Sequence, residues 1–148
     1  MKTILLFLVF FAFLQSAFLP VNLVLVVLIA RSLVTEDRDN LFLAFFGGLI
    51  LSFLTQVNLG YYPLIFILVV KLSGMLKKLP VSFNFLPIFF GGSSIIALVT
   101  IANSFFISQN LSFYPHLVEA ILVFPAYSLI KMWDGRFTSK SHLKLKVR

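Results

Sequence analysis

The sequence predicts an all-α integral membrane protein, a single bundle of six transmembrane helices with both termini in the cytoplasm. Three observations carry that expectation. Hydrophobic residues make up 60% of the 148 and charged residues 11%, and the mean hydropathy of +1.05 lies outside the range of water-soluble domains. The 19 Phe residues are spread along the whole chain, so no segment is polar enough to fold alone in water. The 12 Lys and Arg fall only on alternate breaks between apolar stretches, the pattern of a chain that crosses a bilayer repeatedly.

A hydrocarbon core of roughly 30 Å needs about 17 to 25 helical residues per crossing. Helices are required because the core offers no water to backbone N–H and C=O groups. The first span is expected over 3–19 and the second over 20–33, separated only by Gln15, Ser16, Pro20 and Asn22. Two other readings of this region stay open. A basic start, an apolar run and Gln15–Ala17 also resemble a cleavable secretory signal. Alternatively, 3–30 could form one long tilted helix kinked at Pro20. The third span is expected over 41–56, the fourth over 61–76, the fifth over 85–107 and the sixth over 114–133, followed by a basic tail at 134–148.

This count distributes the cations on one side. Lys2, Arg31, Arg38, Lys71, Lys77 and Lys78 lie at the cytoplasmic ends, as do the six from Lys131 to Arg148. The opposite turns, 16–22, 56–60 and 108–116, hold no Lys or Arg. The net charge of +7 is therefore read as topology, with no nucleic-acid partner expected. Arg31 and Lys71 fall short of their helix ends and can reach the headgroups by snorkelling. Glu36, Asp37 and Asp39 around Arg38 read as a solvated turn capping the third span. The tail should lie on anionic lipid.

With no Cys, two His and five carboxylates, there is little material for hydrolytic, redox or metal chemistry. No enzyme and no cofactor are expected. Ala44, Gly48 and Ser52 form a small-xxx-small row in the third span, and Gly91, Gly92, Ser93, Ser94 and Ala97 form another in the fifth. Such rows admit a close neighbour, either within the subunit or on a partner. Pro63 and Pro87 suit first-turn positions. Pro125 lies inside the sixth span and should kink it.

Glu119 is the carboxylate set well inside a span, about 8 Å from the helix start at 1.5 Å per residue. It needs a partner or a wet cavity. His116 lies one turn earlier on the same face. The functional reading is a ligand or proton site at the outer side, with Asn103, Gln56 and Asn58 as company. The plainer reading is an interhelical hydrogen bond.

The run LPVNLVLVVL at 19–28, then AFFGGLILSFLTQVNLGYYPL at 44–64 and FYPHLVEAILVFPAYSLIKM at 113–132, resembles the bacterial rod shape-determining protein MreD family. That family has Pro-Asn or Pro-Asp before an apolar helix, a G-x-x-x-D-x-x-x-G-x-x-x-G-like pattern ending the third span, and a Pro-opened last helix with a second internal Pro. Pro20, Asn22, Gly48, Leu59, Gly60 and Pro125 carry the match, and all read as structural. Ser52 stands where the family usually has Asp, and Gln56 where it often has Gly. The resemblance implies a non-enzymatic subunit of the inner membrane in the cell-elongation machinery. Its expected partners are an MreC-like periplasmic coiled-coil protein and, through it, MreB-like filaments and peptidoglycan synthases. The competing class is the substrate-binding component of an energy-coupling-factor vitamin transporter, also six-spanned and poor in charge.

The topology is open to direct measurement. Green fluorescent protein fused after Arg148 should fluoresce, and alkaline phosphatase inserted at Asn58 should be active. The reverse pair of results would invert the orientation.

Overall fold

A computed structural model describes residues 2–35, 37–78, 85–107 and 113–143. These residues form six α-helices and no strand: α1 (Lys2–Ala17), α2 (Leu23–Val34), α3 (Arg38–Thr55), α4 (Tyr61–Lys77), α5 (Phe85–Ile107) and α6 (Phe113–Leu143). Three of them contain stretches long and apolar enough to cross a membrane: Arg38–Thr55, Ile88–Ile107 and Tyr114–Gly135. The α1 and α2 stretches are shorter.

The first two expected spans are separate helices, because Pro20 and Asn22 interrupt the chain between them. At 12 residues α2 is about 18 Å long, well short of a hydrocarbon core. Apart from Arg31 and Ser32 in its last turn it is apolar throughout, as befits a helix enclosed by others. Val24, Leu25, Val26, Leu28, Ile29, Ala30, Ser32 and Leu33 are all buried, and α2 touches α1, α3, α4 and α6. α2 is the central helix around which the others are arranged.

α3 and α4 form a tight hairpin whose contact depends on Gly48. A Cβ built there would sit 2.5 Å from Pro63 Cα, closer than real carbon atoms approach. Pro63 suits this contact, because its missing N–H falls in the first turn of α4, where no intrahelical bond is expected. Gly47 faces α1 and α2, with Leu8 Cδ2 2.6 Å and Val24 Cγ1 3.4 Å from a Cβ position. α3 ends at Gln56 in the left-handed conformation, φ 55°, with its N–H donated to Ser52 O. Glycine adopts that conformation at lower cost than any residue with a Cβ.

The expected side-chain cap at the start of α3 is absent. Asp37 occupies the cap position but makes no side-chain cap bond, and Glu36 lies outside the described residues. Asn40 holds the turn instead, accepting from Arg31 Nε at 2.7 Å and donating to Thr35 O at 2.6 Å. Arg31 is thereby engaged with α3. α6 runs through Pro125, which is exposed, and continues to Leu143. It covers most of the expected tail; residues 144–148 are outside the described set.

Outward-facing residues are largely apolar: Phe10, Phe13, Phe42, Phe53, Phe105 and Leu129 are all more than half exposed. Such a surface is an association hazard in water and ordinary in a lipid environment. Substitution at Gly48 separates packing from composition. Gly48→Ala should destabilise the detergent-solubilised chain by about 1–3 kcal/mol or more, the range for forced overpacking. Gly60→Ala, where nothing lies within 4 Å of a Cβ, should be near neutral. Equal thermal unfolding midpoints for the two variants would contradict the close approach.

Candidate functional site

The early turns of α2 lie inside the bundle, where orphan N–H groups cannot be left to water. Each is met from within the chain. Leu25 N donates to Asn22 Oδ1 at 3.0 Å, the standard N-cap geometry. Val24 N donates to Gln15 Oε1 of α1 at 3.0 Å. Asn22 N donates to Glu119 Oε1 of α6 at 2.6 Å. Leu23 N reaches Val21 O at 3.1 Å. Three helices thus meet at one helix start.

Glu119 is 4% exposed, and its position explains how a carboxylate is tolerated there. One oxygen accepts the Asn22 N–H, and the positive end of the α2 dipole favours negative charge at that point. The other oxygen lies 3.6 Å from His116 Nδ1, an ion-pair distance and too long for a hydrogen bond. His116 Nδ1 instead lies 2.9 Å from Thr100 Oγ1. Thr100 Oγ1 also lies 2.9 Å from Ile96 O of its own helix, so its one hydroxyl proton serves either the backbone carbonyl or the imidazole according to the His116 tautomer. Thr100 thereby links α5 to α6.

These groups surround a cavity of about 240 Å³ at one end of the bundle. Its wall includes Gln15 and Ser16 from α1, Pro20 and Asn22 from the following turn, Leu51 and Thr55 from α3, Tyr62 from α4, Val99, Thr100 and Asn103 from α5, and His116 and Glu119 from α6. The ends of odd-numbered helices and the starts of even-numbered ones therefore converge there. Asn103 accepts the Tyr61 hydroxyl at 2.8 Å. At the opposite end, Lys77 Nζ donates to Val34 O at 2.8 Å, so α2 is held by side chains at both termini.

The structure brings together Pro20, Asn22, Asn103, His116 and Glu119. Gln56, Asn58, Leu59 and Gly60 are exposed and do not line the cavity. Ala44, Gly48 and Ser52 are buried, with Gly48 against α4. Gly91 faces Leu76 and Gly92 faces Val123, each with a side-chain carbon 3.0 Å from a Cβ position. The Ser93 and Ser94 hydroxyls return to Phe90 O, and Ser94 and Ala97 are exposed. Among the described residues, the Oγ atoms of Ser52 and Ser73 are buried without a partner.

Sequence reasoning missed Gln15, Thr55 and Thr100 as cavity residues. Gln15 carried a usable signal, a long amide in an otherwise apolar helix. Thr100 carried none, because a threonine in a helix ordinarily bonds its own backbone. The chain matches no protein-family model, no curated protein and no solved structure.

Removing the carboxylate tests the tie between α2 and α6. Glu119→Leu leaves the Asn22 N–H without an acceptor and should cost about 1–3 kcal/mol. Glu119→Gln retains a carbonyl oxygen and should recover most of this. Unfolding in detergent, together with amide exchange at Asn22, reads both effects. Unchanged exchange at Asn22 in Glu119→Leu would show that the carboxylate does not hold the start of α2.

Proposed function

We propose that this chain is a non-enzymatic subunit of the bacterial inner membrane, crossing it six times with both termini cytoplasmic, and that it serves the cell-elongation machinery in the manner of the MreD family. It binds an MreC-like periplasmic coiled-coil protein and, through it, helps organise MreB-like filaments and peptidoglycan synthases. The observation that carries this reading is the structural use of the residues behind the sequence resemblance. Asn22 caps α2, Gly48 meets Pro63 in the α3–α4 hairpin, and the 113–132 run supplies Glu119 to the α2 start. Three motifs distant in sequence bear on one core.

Six crossings are supported by the alternation of helix ends at the cavity and by the placement of Arg31 and Lys77 at the other end of α2. In this arrangement the turn at 18–22 supplies the depth that α2 lacks. Of the small-residue surface considered for a partner, Ser94 and Ala97 on α5 remain open. They are flanked by exposed Phe90, Leu98 and Ile101. A partner's membrane helix fits this strip by close packing.

The cavity favours a second reading, the substrate-binding component of a vitamin transporter. Co-expression with the host's MreC-like protein and extraction in mild detergent discriminates the two. Stoichiometric co-elution, weakened by Ala97→Trp with folding retained, is the expected result. Separate elution, accompanied by host ATPases and a bound vitamin, would transfer the assignment to the transporter.

A further inference from the structure

The cavity has a chemical bias that follows from the capping of α2. Gln15 and Asn22 have amide oxygens committed to backbone donors, Val24 N and Leu25 N. A backbone N–H can only donate, so neither amide can be flipped without losing its bond. The groups these residues have left are their NH₂ donors. Neither amide nitrogen has a hydrogen-bond partner among the described residues, and both residues line the cavity. Asn103, with its oxygen on the Tyr61 hydroxyl, adds a third NH₂.

A metal or ammonium ion, although Glu119 would attract it, offers no lone pair to that donor set and would leave the amide N–H groups unmet. A free anion is disfavoured by Glu119, whose carboxylate lies in the same wall. The remaining complement is a neutral acceptor. Leu25, Leu51 and Val99 supply apolar wall, and all three are buried. We infer that the cavity binds a small uncharged molecule that presents a carbonyl oxygen to the Gln15 and Asn22 amides and an apolar body to Leu25, Leu51 and Val99. The carbonyl can belong to a soluble amide or ester, or to the ester linkage of a phospholipid. This inference is independent of the partner with which the chain assembles.

Three probes on one 3-methylbutyl carbon skeleton, isovaleramide, isovalerate and isopentylammonium, test the charge preference on the full chain in detergent micelles. Binding is followed through the side-chain amide resonances of Gln15 and Asn22. Isovaleramide should shift both sets saturably, and the two charged probes should bind more weakly. Asn22→Ser keeps an oxygen for the N-cap but removes the NH₂, so it should weaken isovaleramide about tenfold, the worth of one hydrogen bond. Gln15→Glu, which keeps an oxygen for Val24 N, provides a second variant without the donor.

The lipid source is separated by nanodiscs of diester or diether phosphatidylcholine. Displacement of the amide shifts by diester lipid alone assigns the carbonyl to lipid, and equal behaviour in both assigns it to a soluble ligand. Preference for either charged probe, unchanged binding in folded Asn22→Ser, or no saturable shift with isovaleramide and no diester–diether difference would overturn the inference.

Discussion

The start of a short helix inside an apolar bundle is the constraint on which the rest of this molecule depends. α2 begins below the ends of its neighbours, and its N–H groups have neither a preceding turn nor bulk water to accept them. Gln15 from α1, Asn22 from the turn and Glu119 from α6 provide the acceptors. These three bonds fix where α1 and α6 stand relative to α2. They also place a carboxylate where a helix dipole offsets part of the cost of burying it. The cavity is a geometric consequence, since a central helix that starts late leaves space between the ends of the others.

Between the helices, apolar burial supplies little selectivity when lipid tails are as apolar as Leu or Phe. Close packing and directional bonds must define the arrangement instead. Gly48 against Pro63 brings two backbones together, while Gly47, Gly91 and Gly92 admit side chains of Leu8, Leu76 and Val123. Most of the small-residue surface is consumed in this way. Ser94 and Ala97 are the exception, and their exposure in an apolar strip gives the scaffold reading its candidate contact. Gln56 is a local conflict, a side-chain-bearing residue in a conformation suited to glycine.

The polar interior carries both structural and chemical roles, and the two are separable at single atoms. In Gln15 and Asn22 the oxygen supports the helix, and the nitrogen makes no hydrogen bond among the described residues. In His116, Nδ1 is committed to Thr100, leaving Nε2 as the ring's remaining polar atom. A cavity built on such half-used side chains inherits its selectivity from the fold.

Composition and periodicity determined the all-helical class, because only helices satisfy a backbone in so apolar a chain. The helix breaks near Pro20, Thr35, Gln56 and Lys78 were legible to within a few residues from polar or conformationally restrictive positions. Asn103, His116 and Glu119 were legible as a polar group because charge and amides are conspicuous against hydrocarbon. The sequence could not decide that α2 is central, that Gln15 and Glu119 meet at its start, or that Gln56 and Asn58 stand apart from the cavity. Those contacts join residues as far as 97 positions apart. They depend on the relative rotation and depth of packed helices, which local propensity does not encode. Tertiary structure alone shows which polar atoms are consumed by the backbone and which remain available to another molecule.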